Sequence, residues 1–129
     1  MAKHTLAAAV ALAGLSLIAL PASVQAHGVT KPQHGGVVQM NGETLFELVR
    51  EPGGTSLYLI DEDEPVAASS MSAKLDISNH GKKSEVPLTP GKGNQFFKKG
   101  LTIAAGSSVA VQVVDKASGV RYGTTFLIK

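Results

Sequence analysis

Met71-Ser72-Ala73-Lys74-Leu75-Asp76-Ile77-Ser78 decides the fold: Met71, Ala73, Leu75 and Ile77 alternate with Ser72, Lys74, Asp76 and Ser78. A strict period of two places one set on a buried face and the other in water, which describes a half-buried β-strand and no helix. The same period recurs downstream in Ser107 to Asp115, through Val109, Val111 and Val113, and in Val120 to Ile128, where Tyr122, Thr124, Phe126 and Ile128 share a face. Upstream, Val37 to Met40 leads to Asn41-Gly42, a pair suited to a two-residue hairpin, and Glu43 to Glu51 returns. Within that return Leu45-Phe46-Glu47-Leu48-Val49 is apolar on both faces apart from Glu47, as a central strand would be.

Thr55 to Ile60 adds a strand after Pro52-Gly53-Gly54, and Asp61-Glu62-Asp63-Glu64 ends it as a solvated acidic turn. Asn79-His80-Gly81-Lys82 turns into Ser84 to Leu88, where Pro87 marks an edge or a bulge. Thr89 to Gly100 reads as the longest irregular region, with at least one of Phe96 and Phe97 expected in the core. Turn residues recur roughly every 8 to 12 positions, so the expected class is all-β, a small antiparallel β-sandwich, immunoglobulin-like, with about seven strands. A closed barrel is the competing arrangement.

Ahead of this domain a basic start, the apolar run Thr5 to Leu20 and Val24-Gln25-Ala26 make residues 1–26 a secretory signal peptide. The expected organisation is the signal at 1–26, a flexible leader at 27–36 and the β-domain at 37–129. Cleavage loses Lys3 and leaves a net charge of about +1, too balanced for a nucleic-acid footprint. The chain has no Cys, which removes disulfides, thiolate metal sites and a Cys nucleophile, and a lipid anchor at the cleavage site with them. No run after the signal approaches the roughly 18 apolar residues of a membrane span, so no membrane anchor is expected after processing. No serine lies in a nucleophile-elbow context and the paired glycines do not join a strand to a helix, so an enzyme is not expected.

The chemistry points to histidine. Cleavage after Ala26 makes His27 the first residue, and its free α-amine and imidazole can together chelate a metal. His34 follows in Lys31-Pro32-Gln33-His34-Gly35-Gly36, and His80 lies in the turn after Ile77-Ser78. If each turn reverses the chain, His34, His80 and the last hairpin fall at one end, with Met40 and Met71 at the other. Nitrogen ligands without Met sulfur suit Cu(II), Zn(II) or Ni(II) rather than Cu(I). The expected metal ligands are therefore His27, His34 and His80, with Cu(II) or Zn(II) foremost. For each the bland alternative is a solvated loop histidine.

His34-Gly35-Gly36, then Phe46-Glu47-Leu48-Val49, Leu57-Tyr58-Leu59, Pro65-Val66 and Leu88-Thr89-Pro90 with Asn94, resemble the small periplasmic β-domain of heavy-metal efflux systems. That domain occurs alone and at the front of periplasmic adaptor proteins of metal-exporting pumps. The resemblance spans nearly all of the mature chain and implies a periplasmic protein of metal handling in which His34 is the motif histidine. A weaker resemblance is to CopC-type periplasmic copper-binding proteins, although Asp115-Lys116-Ala117-Ser118-Gly119 lacks the histidine usual in their last hairpin. Two functions follow as expectations: a monomeric periplasmic carrier, buffer or accessory of divalent transition metal, or a metal-free interaction module docking on a pump adaptor.

Overall fold

The computed structural model describes residues 28–129. Nine strands follow in order: β1 (Val37–Asn41), β2 (Thr44–Glu51), β3 (Gly54–Asp61), β4 (Glu64–Pro65), β5 (Met71–Asn79), β6 (Lys82–Pro90), β7 (Gln95–Lys99), β8 (Ser108–Asp115) and β9 (Arg121–Leu127), with a 3-10 turn at Ala68–Ser70. All pairings are antiparallel. The spatial order is β1-β2-β3-β7-β6-β5-β8-β9, with β4 appended to β3. The two ends of that order meet, for Asn41 Nδ2 on β1 donates to the Gly123 carbonyl on β9 at 2.7 Å. The class is all-β, and the sheet is a nearly closed barrel.

The alternation in β5 holds. Met71, Ala73 and Leu75 are buried, Ser72 and Asp76 are exposed, and Ile77 packs against the core. The core joins Phe46, Leu48, Leu57, Leu59, Leu75, Phe96, Val109, Val111, Val113 and Phe126 from both halves of the sheet. Because β6 pairs with β7 only through Thr89 and Pro90 while its residues 82–88 pair with β5 alone, the barrel is split along that length. Pro87 lies on this partly unpaired strand, where a missing N–H is tolerated.

Two strands are additional to the expected seven. The acidic turn is followed by the two-residue β4, antiparallel to β3 but too short to carry the chain to the other end, and the region expected to be irregular contains β7. Phe96 there is fully buried and Phe97 half-buried. The extra reversal at β7 changes the topology after it: Met71 pairs with Asp115, so the β8–β9 turn lies at the Met71 end, opposite the end expected for the last hairpin.

The first hairpin is also shifted by one residue. Asn41 pairs with Thr44, which makes Gly42-Glu43 the connecting pair in place of Asn41-Gly42. Gly42 alone of the two takes a positive φ, +61°, the requirement of a turn with glycine at its first central position. Asn41 remains in β1 with its side chain committed to Gly123.

Candidate functional site

Strand β2 is buried on both faces from Thr44 to Val49. Phe46 and Leu48 face the core, so Leu45, Glu47 and Val49 point outward, where a β-strand side chain normally meets water. The leader accounts for the difference. Residues 28–36, expected to be flexible and unattached, lie along the outer face of the sheet. At their start the Val29 amide donates to Asp63 Oδ1 at 3.0 Å. At their end Gly36 packs so closely that a Cβ there would stand 2.4 Å from the Leu48 carbonyl oxygen and 2.8 Å from Val49 Cγ2.

Between these points the leader is fastened to one carboxylate. Glu47, 1% exposed, receives the His34 amide on Oε1 at 2.7 Å and the Gln33 amide on Oε2 at 3.1 Å, with a longer contact from the Gly36 amide at 3.4 Å. His34 Nδ1 lies 2.9 Å from Oε2. Burial alone would push this carboxyl up. The donors from the His34 amide and ring, and from Gln33 and Gly36, outweigh burial and hold it below its ordinary value of 4.5. An ionised carboxylate only accepts, so Nδ1 carries the proton and donates. In the neutral ring Nε2 then keeps its lone pair.

Tyr58 fixes the plane of that ring. It pairs with Glu47 across β2 and β3, and its ring stacks on His34 with centroids 3.6 Å apart and planes 5° from parallel. The His34 side chain is 39% exposed, so the imidazole is held on one edge and one face while remaining open to solvent. A carboxylate behind one ring nitrogen orients the other for metal ligation or proton transfer. Next to Tyr58 in the sheet comes Gln95, which borders an open groove of about 490 Å³ lined also by Glu51, Thr89, Pro90, Lys92 and Phe97.

His80 has a different setting. It is exposed, with φ +48°, and Gly81 follows at +79°, which makes the pair the center of a tight turn between Asn79 and Lys82. Positive φ at both central residues matches a type I′ hairpin. Strand direction alone would put this turn at the same end as the start of β1, but direction does not fix height. Thr89 of β6 is level with Phe97, and Phe97 with Ser56, so Tyr58 lies two residues to one side of that level and Lys82 seven to the other. At about 3.3 Å per residue roughly 30 Å of strand separates the two. Met71 is level with Pro90, Pro90 with Phe96 and Phe96 with Leu57, so His34 on Tyr58 lies at the height of the Met71 end, and contrary to expectation the two histidines share neither an end nor a site.

Met40 and Met71 lie away from the His80 turn, as expected, but within two residues of the level of Tyr58, so the expected separation of His34 from the methionine end is not found. His27 lies outside the described residues. Among the described residues no three His, Asp or Glu side chains converge on a point that could hold a metal ion. Glu47 and Tyr58 were missing from the expected site. The signal for Glu47 was its position as the lone charge in an apolar strand. Tyr58 carried none, because its role arises from strand register.

No family model and no curated protein matches this chain. A solved structure of a Br derivative of BhCBM56, a carbohydrate-binding module, is similar at a TM-score of 0.44 and 12% identity, over 71% of this chain and 99% of that one. A likeness that distant carries no argument about what this protein binds.

Proposed function

We propose that this protein binds a divalent transition metal, Cu(II), Zn(II) or Ni(II), in the periplasm as a carrier, buffer or accessory of a heavy-metal efflux system, with His34 as the anchored imidazole ligand. The observation that supports this reading is the Glu47 carboxylate 2.9 Å behind His34 Nδ1. Histidines that ligate metals commonly donate their second ring N–H to a carboxylate or carbonyl, which fixes the tautomer and raises ligand basicity. The stack on Tyr58 limits ring rotation and lowers the entropy lost on coordination. His27, freed at the N-terminus by cleavage after Ala26, supplies an amine and a second imidazole. His80 is the weakest member of the expected set, since its turn accounts for it.

Calorimetric titration of the processed protein with Cu(II) and with Zn(II) tests the proposal. One ion per chain is expected, with affinity reduced roughly 10- to 100-fold in Glu47→Gln, the range typical of lost outer-sphere partners. His34→Ala should lower it further. An additional residue before His27 removes the free-amine chelate and should weaken Cu(II) in particular. Absence of binding for either ion by the processed protein would overturn the proposal and favour the metal-free, Ig-like interaction module, for which pull-down with an efflux-pump adaptor is the corresponding test.

A further inference from the structure

We infer that Asn41 is a modification site at which the barrel's closing contact is chemically timed: spontaneous deamidation there converts the bond that joins β1 to β9 into a repulsion. Three observations meet at this residue, none of them involving the histidine site. First, Asn41 precedes glycine and is exposed, and a Cβ built on Gly42 would meet nothing within 4 Å, so the following amide is unhindered. Second, Gly42 lies outside both strands, and among the described residues its amide donates to no turn or loop acceptor. Third, the Asn41 side-chain amide makes the β1–β9 hydrogen bond to Gly123 O, across 82 positions of sequence.

The chemistry needs only water. The Gly42 backbone nitrogen, losing its proton to solvent hydroxide, attacks Asn41 Cγ and forms a C–N bond. Nδ2 departs as ammonia and leaves a five-membered imide. Water then opens the imide at either carbonyl, giving aspartate or its β-linked isomer. In aspartate an anionic oxygen acceptor stands where the Nδ2 donor faced the Gly123 carbonyl; in the β-linked isomer Cγ stays bonded to the Gly42 nitrogen and the carboxylate is on Cα, so the Nδ2 donor is lost there too. Two acceptors cannot bond, and the new charge adds to an end already acidic. Asp61 there accepts from Thr44 Oγ1, and the Glu62 amide donates to Glu43 O.

The chain supplies its own controls. Asn79 and Asn94 also hold their side-chain amides in hydrogen bonds, to Ser107 Oγ and Leu59 O, but precede His80 and Gln95, residues with side chains that hinder the attack. The experiment incubates processed protein in mildly alkaline buffer and maps amide-to-acid conversion by peptide mass, with hydrogen exchange read on the aged fraction. Conversion is expected at Asn41 ahead of Asn79 and Asn94, with exchange at Tyr122–Thr125 quickened about fivefold, the effect of one lost hydrogen bond. Fresh Asn41→Asp should show the same quickening, while exchange in the β5–β8 ladder stays unchanged. Conversion at Asn79 or Asn94 before Asn41 would overturn the inference. So would an Asn41→Asp protein that folds with wild-type exchange in β9.

Discussion

Strands β5 and β2 present opposite outer faces. In β5 the outward residues Ser72 and Asp76 are exposed and Lys74 is half-buried, with a 3.3 Å ion pair to Glu85. In β2 the outward residues Leu45, Glu47 and Val49 are buried. Both strands have two neighbours in the sheet. The difference comes from nine leader residues laid over one and absent from the other. A strand apolar on both faces thus need not be sandwiched between layers of regular structure; an irregular segment fastened to one buried charge is sufficient.

Removing that charge should give the largest effect. Glu47→Ala leaves the Gln33 and His34 amides without their acceptor and is expected to cost about 3 kcal/mol, since each hydrogen bond to a charged group contributes roughly 1.5–3. The urea midpoint checks this, and a change under 1 kcal/mol would mean the leader does not stabilise the fold. Its pH dependence has a fixed sign. The folded Glu47 carboxyl is held below 4.5, so the unfolded chain binds its proton more readily. The stabilisation is fully present above 4.5 and is lost as pH falls through the depressed folded value. Urea midpoints of wild type and Glu47→Gln should therefore converge on acidification, and a constant gap would remove Glu47 ionisation as the cause.

Gly36→Ala comes next, at about 2 kcal/mol, because its Cβ would overlap the Leu48 carbonyl oxygen and the Val49 methyl with only a tightly packed strand to move. Gly35 separates space from conformation: a Cβ there meets nothing within 4 Å, but φ is +73°. Gly35→Ala should cost about 1 kcal/mol, the strain of a left-handed backbone. If the two alanines cost the same, the close packing of the leader on β2 is not what the structure indicates. The smallest effect belongs to β5. Lys74→Ala should change stability by less than about 0.5 kcal/mol, since its partner Glu85 is well exposed and such pairs contribute little.

How much of this could be read from sequence depended on how local its cause was. The faces of β5, β8 and β9 were legible because each alternates over a full strand. Strand β7 was not: Gln95-Phe96-Phe97-Lys98-Lys99 is short, sits among glycines and shows alternation through one buried phenylalanine. The hairpin slip at Asn41 escaped because either register suits an Asn-Gly pair locally, and a contact with Gly123 accompanies the one adopted. His34 was found from its motif. What it touches was not, for Glu47 lies 13 positions away and Tyr58 joins only through the β2–β3 register. His80 looked like a ligand because a histidine chosen for turn geometry leaves the same letter in the sequence.

The contact between Asn41 and Gly123 also orders assembly in time. The β1–β2, β2–β3, β5–β6 and β8–β9 pairs are hairpins that can form as soon as their residues are available, whereas closure awaits β9, at the C-terminal end of the chain. Contacts of such long sequence separation must overcome loop-closure entropy before they contribute, and they slow folding. A chain delivered N-terminus first leaves the β1 edge without its contact to Gly123 until β9 arrives. That interval is when this edge is most open to pairing with a strand of another molecule.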